Sequence, residues 1–138
     1  MVAYSFKKQF IPMIETGEKR QTVRADRRRH ARPGEAVQLY FGMRTKQCRK
    51  ILTPDPICER LGKINIWVDS VMLACCTILV DGEVLDDQQV EQFAWADGFR
   101  KYQDKSAYEM MMQFWFNEHG PGWFDGVVIY WQPFGDLK

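Results

Sequence analysis

The chain has no apolar run near the roughly 20 residues that a membrane span needs. Its first residues, Met-Val-Ala-Tyr-Ser-Phe-Lys-Lys, hold no hydrophobic signal region. Both absences point to a cytoplasmic protein with no membrane partner. Histidine is scarce, at two residues, and the four cysteines (Cys48, Cys58, Cys75 and Cys76) are scattered without ligand spacing. A metal centre therefore has no support, no cofactor is expected, and the thiols read as free and buried. Internal repeats and low-complexity linkers are also missing, so residues 1–138 read as one domain, long enough to bury a core. A sustained β–α–β alternation is missing too, which argues against a doubly wound sheet. What remains is 46% hydrophobic and 14% aromatic, the composition of a folded globular chain, not a disordered one.

Charge is nearly balanced at +1, but it is unevenly placed. Residues 1–50 hold thirteen Lys/Arg against four Asp/Glu, and residues 81–138 hold four against eleven. The basic residues cluster from Lys19 to Arg32 and from Arg44 to Lys50. Such polarity steers an anionic partner toward one part of the molecule, and RNA or another phosphate-bearing ligand is the expected one. Arg20, Arg24, Arg27, Arg28, Arg29 and Arg44 are the candidate contacts, with Tyr40 as a stacking residue.

The rest of the chain is organised around Gly17-Glu18-Lys19-Arg20-Gln21-Thr22-Val23-Arg24. Before it, Phe10, Met13 and Ile14 recur at helical spacing, and Pro12 suits a first helical turn. Gly17 stands where a left-handed residue ends that helix. After it, Arg20, Thr22 and Arg24 alternate with Gln21 and Val23 as in a strand. A glycine stop followed by an extended run can aim Lys19, Thr22 and Arg24 into one pocket.

In order, Ala3 to Lys8 reads as a strand, followed by the short helix and an arginine-rich loop over 24–32. Pro33-Gly34-Glu35 is a turn and Val37 to Phe41 a strand. Thr53 to Pro56 is a loop, Ile57 to Val68 a strand with Gly62 as a bulge, and Val71 to Val80 another strand. Asp81-Gly82 turns a hairpin into Glu83-Val84-Leu85. Asp86 or Asp87 caps a helix to about Ala96, and Ser106 with Glu109, or Asp104, caps a second to about Glu118. Phe124 to Gln132 closes the chain as a strand. This pattern predicts an α+β fold: a small mixed β-barrel of about six strands, with a short N-terminal helix and two helices before the last strand. Among the aromatics, Tyr40, Phe41, Trp67 and Trp95 are candidates for base stacking, with core packing as the competing role. Trp123 and Trp131 read as packing, as do Met110 to Met112.

Gly17-x-Lys19-x-x-Thr22-x-Arg24 resembles the signature of the ASCH domain, a β-barrel family related to the PUA domain of RNA-modifying enzymes. Pro33-Gly34-Glu35 with Val37 to Phe41, Ala96-Asp97-Gly98-Phe99, and Phe124 to Trp131 resemble later segments of that family, in the same order. The resemblance covers nearly the whole chain. It implies a PUA-like barrel that binds RNA in a cleft lined by the signature. One branch of the family hydrolyses the amide of N4-acetylcytidine with a lysine, a threonine and a glutamate, and another is associated with RNA cleavage. The resemblance thus assigns catalytic roles to Lys19 and Thr22, and to Asp97, which stands where the family has glutamate. A threonine hydroxyl needs an adjacent base, and a lysine among other cations can be neutral enough to serve. The alternative for these residues is an ion pair of Lys19 with Asp97 that holds the fold, with Thr22 a plain strand residue. Two functions follow from the same residues: an RNA-binding module, or a hydrolase acting on a modified nucleoside or on RNA.

Overall fold

The structure is a computed structural model that describes residues 2–72 and 75–132. Among the described residues, three α-helices and eight strands follow one another as β1 (Val2–Phe6), α1 (Ile11–Thr16), β2 (Gln21–Ala25), β3 (Val37–Phe41), β4 (Arg49–Lys50), β5 (Ile57–Val68), β6 (Thr77–Val80), β7 (Glu83–Val84), α2 (Asp87–Ala96), α3 (Ala107–His119) and β8 (Gly122–Gln132). The strands form a three-stranded sheet, β1-β3-β4, and a five-stranded sheet, β2-β8-β5-β6-β7. The α+β class is as expected. The single barrel of about six strands is not: the pairing among the described residues gives two sheets, and neither closes on itself. No helix of the described residues is long and apolar enough to cross a membrane.

The chain divides into two compact units. The first comprises residues 1–22, 27–61 and 129–138, and the second residues 23–26 and 62–128. In the first, β1 and β3 run parallel with Val2 opposite Val37 and Phe6 opposite Phe41. Val2, Tyr4 and Phe6 alternate inward, and Val37 and Leu39 do the same on β3. A 3-10 turn, Lys8–Phe10, leads into α1, which has Pro12 in its first turn and buries Ile11 and Ile14. Gly17 ends α1 at φ 84°, ψ 4°, the left-handed conformation that glycine adopts without penalty.

In the second unit, β5 and β6 pair antiparallel with Ile64 opposite Val80 and Trp67 opposite Thr77. Asp81 and Gly82 both have positive φ, the two-residue turn that matches strand twist, and join β6 to β7. Gly62 lies inside an uninterrupted β5, where a Cβ would meet Val128 Cγ1 at 3.1 Å, so it serves close packing instead of a bulge. The expected strand from Val71 starts only at Thr77. Asp69 accepts the N–H groups of Val71 (3.0 Å) and Met72 (2.8 Å), a local turn that competes with strand pairing; Leu73 and Ala74 lie outside the described residues.

Both later helices begin with reciprocal capping boxes, Asp86 with Gln89 and Ser106 with Glu109. Glu91 of α2 adds a second cap to α3 by accepting the N–H groups of Ala107 (2.9 Å) and Tyr108 (3.0 Å). The α3 N-terminus is thereby fastened to α2, with Val90, Phe93, Met111 and Trp115 buried.

Two substitutions rank these constraints. Gly126→Ala places a Cβ 2.2 Å from the Arg24 carbonyl oxygen, so backbone must move; a loss of about 3 kcal/mol is expected. Ser106→Ala removes one side-chain cap and is expected to cost only about 1 kcal/mol, because Glu91 still serves the same turn. Urea midpoints of the two variants against the parent chain check the order.

Candidate functional site

Among the described residues, the buried polar and charged side chains are Lys19, Gln21, Thr22 and Asp97, each exposed by 5% or less. Three of these are the residues to which the motif resemblance assigns catalysis. Burying a lysine, a threonine and an aspartate in a chain of this size is costly unless each is satisfied.

Lys19 is positioned by the end of α1. The N–H of Gly17 donates to Ile14 O (3.2 Å), and the N–H of Lys19 donates to Met13 O (2.9 Å), so two terminal carbonyls of the helix fix the turn. The side chain then runs inward. Its ammonium donates to the Gln21 carbonyl at 2.8 Å and stands 4.9 Å from the centroid of Phe10 and 5.7 Å from that of Phe6. These ring faces are electron-rich and replace part of the lost hydration. Thr22 follows on β2, and Gln21 beside it is also buried. Alternation puts these two side chains on opposite faces, and the sequence pattern does not show that both faces are covered here.

Asp97 belongs to the second unit, as the residue that ends α2. Gly98, at φ 104°, lets its N–H donate to Trp95 O (3.1 Å), and the Phe99 N–H returns to Ala94 O (3.0 Å). This double closure is the Schellman motif, and it explains Ala96-Asp97-Gly98-Phe99 locally. A carboxylate here sits at the negative end of the helix dipole, an unfavourable place for it. Arg100 offsets that field: its guanidinium donates to Trp95 O and Phe99 O, both at 2.8 Å, and stacks 3.9 Å from the Trp95 ring centroid.

The arginine-rich loop is built rather than loose. Tyr4 reaches it from β1. Its hydroxyl accepts the Ala31 N–H (3.1 Å) and lies 2.9 Å from His30 Nδ1, and the Arg27 guanidinium stacks 4.6 Å from its ring centroid. Arg27 also donates to Ala3 O and Arg29 O. Arg29 pairs with Glu35, which also accepts the Arg32 N–H. Of the three consecutive arginines, the outer two therefore carry the loop, while Arg28 is simply exposed. Arg20 is exposed and Arg24 half-buried. Arg44 is exposed at φ 67° after the Gly42 turn, and Tyr40 is half-buried opposite Lys50. Lys50 is held by Asp55 at 2.9 Å, which leaves less free positive charge in the second cluster than its composition suggests.

The aromatic residues sort differently from the sequence reading. Trp131 is packed, at 1% exposure, but Trp123 is 59% exposed, leaning on half-buried Trp67 at 5.5 Å between centroids. Gly122 and Asp125, which lie within β8 on either side of Trp123, give no signal for which face the tryptophan takes. Trp95 is 45% exposed. Met111 and Met112 are fully buried packing residues. Cys58 and Cys76 are buried, with burial pushing both thiols up, whereas Cys48 and Cys75 are exposed. No group of three His, Cys, Asp or Glu among the described residues is placed to hold a metal ion.

Comparison of the chain with protein-family models, with curated proteins and with solved structures gave no match.

The Arg29–Glu35 pair makes a direct prediction. The Arg29 side chain, then the Arg32 N–H, hold the Glu35 carboxyl at about 2, down from its ordinary 4.5. A depressed carboxyl stabilises the fold above its unfolded value and loses that contribution as pH falls through about 2. Carboxyl-detected NMR titration is expected to show the low midpoint, and Arg29→Ala to return it most of the way.

Proposed function

We propose that the chain is an ASCH-type, PUA-like domain that binds RNA or a modified nucleoside through the segment from Gly17 to Arg24 and the neighbouring basic loop. The observation that carries this reading is the burial of Lys19 and Thr22, two reactive polar residues of the motif, next to the glycine that ends α1. Arg28, Arg20 and Arg44 are exposed cations able to meet phosphates. The loop that carries Arg28 is already ordered by Tyr4 and Glu35.

A second reading is favoured by the burial of Asp97 as well. In it the domain hydrolyses an amide of the N4-acetylcytidine type. Thr22 attacks the acyl carbon, with a water then cleaving the acyl ester, or orients a water for direct attack; Lys19, in its neutral amine form, takes the proton, and Asp97 passes it to the leaving amine. Arg24 holds a phosphate or the developing oxyanion. Asp97 is one methylene shorter than the glutamate of the family, so its reach is the point on which this chemistry turns. Ribonuclease action with the same three residues is the other outcome of the assay.

Binding of a short single-stranded RNA is expected to weaken steeply with salt. Arg28→Ala together with Arg44→Ala is expected to flatten the slope of log K against log salt by about 1.4, at about 0.7 per phosphate. A slope unchanged by the pair removes these arginines from the interface. For the chemistry, N4-acetylcytidine and unmodified RNA are incubated with the protein and followed by mass. Thr22→Val is expected to abolish turnover and leave RNA affinity within about twofold, since it keeps the shape and removes only the hydroxyl. Asp97→Glu is expected to raise turnover of acetylcytidine. Turnover by Thr22→Val at the parent rate rules out the threonine role.

A further inference from the structure

Trp131 combines complete burial with an unmet polar requirement. Its side chain is 1% exposed, and its Nε1 has no hydrogen-bond partner among the described residues. An indole N–H can only donate, and an unpaired buried donor carries its full desolvation cost. Such groups are rare in native chains, and each has a reason.

Two independent contacts within the first unit set Trp131 beside Lys19. Its backbone N–H donates to the carbonyl of Arg20, the next residue after Lys19, at 2.9 Å. Its ring meets Phe6 edge-on at 6.1 Å between centroids and 72° between planes. The same Phe6 ring stands 5.7 Å from the Lys19 ammonium. The Phe6 ring is thus shared between the Lys19 ammonium and the Trp131 indole, with Phe10 on the ammonium as well. An indole donor left without a partner beside aromatic rings suits a flat ligand that offers an oxygen acceptor. Because the indole is neutral and buried, a neutral carbonyl oxygen matches it better than a phosphate, whose desolvation it could not repay.

We propose that Trp131 contacts the ligand at the Lys19 site, with its Nε1–H donating to a carbonyl oxygen of that ligand. The inference rests on the nucleoside reading of that site and narrows it: the recognised group is a carbonyl, either of an acyl amide or of a pyrimidine ring.

The test is the indole N–H resonance of Trp131 in the ¹⁵N-labelled full chain, assigned by backbone connectivity. It is titrated separately with N4-acetylcytidine, cytidine and acetamide. The expected result is a downfield shift and slowed hydrogen exchange of this resonance with acetylcytidine. Acetamide reproduces it if the acyl carbonyl is the acceptor, and cytidine if the ring carbonyl is. Trp131→Phe keeps an aromatic ring and removes the donor, and is expected to weaken acetylcytidine binding about tenfold. A shift with acetamide while neither nucleoside binds upholds the carbonyl contact and rejects the nucleoside reading. Nucleoside binding that Lys19→Ala abolishes, with the Trp131 resonance unmoved, overturns the proposal and leaves the nucleoside reading standing. A resonance indifferent to all three compounds overturns it as well. The measurement uses the parent chain, so instability of the Phe variant does not blunt it.

Discussion

The ammonium of Lys19, held out of water at 2% exposure, is the constraint on which the first unit depends. A buried charge without compensation costs several kcal/mol, so everything around it must supply partners. The Gln21 carbonyl supplies one, and the faces of Phe6 and Phe10 supply more. Those partners come from three different places: the end of β1, the turn before α1 and the start of β2. They meet only because α1 stops after Thr16 and the chain reverses through Gly17. A residue with a Cβ at Gly17 strains the one turn that aims the lysine, so the glycine and the lysine work as a unit. Placement of Trp131 against Phe6 and Arg20 extends the same arrangement to the last strand.

Asp97 shows the same economy in the second unit. The closure through Gly98 and Phe99 is a general way to finish a helix and asks nothing of the residue at 97. An acid there opposes the helix dipole, and a buried acid opposes solvation too. The helix closure itself therefore does not call for Asp97. Positions that violate a local rule while their neighbours obey every other one are where function is sought first.

Much of this was legible because its causes are local. Gly17, the Ser106/Glu109 box and the Asp81-Gly82 turn act within a few residues and stand where the sequence pattern puts them, while the structure selects Asp86 over Asp87 and Ser106 over Asp104 as the caps. The long β5 is legible from the alternation of Ile64, Ile66 and Val68. What failed were questions of which face and which neighbour. Val71 and Met72 have strand propensity, yet the carboxylate of Asp69 takes their N–H groups and they stand 86% and 56% exposed. Trp123, beside the last strand, reads as packing and stands 59% exposed, and periodicity does not reveal that Gln21 is buried as well as Thr22. Both assignments depend on what covers a strand, which no short window contains. Division of the strands into two sheets, instead of one barrel, is a matter of long-range pairing and lies further from local signals still. Of the arginine-rich loop, the charge was visible, but not that Arg27 and Arg29 are occupied within the fold.

Tyr4 holds that loop by its hydroxyl and its ring face at once. The consequence is kinetic. A loose basic arm captures a polyanion at many orientations and then folds onto it, so its association rate is broad and forgiving. A loop already fixed at Ala31 and Arg27 has no such search to make. For any polyanion that docks there, capture is governed by how often the two bodies collide in register, and little ordering entropy remains to be lost afterwards. The loop thus trades reach for residence: fewer encounters succeed, and those that do are not slowed by a folding step.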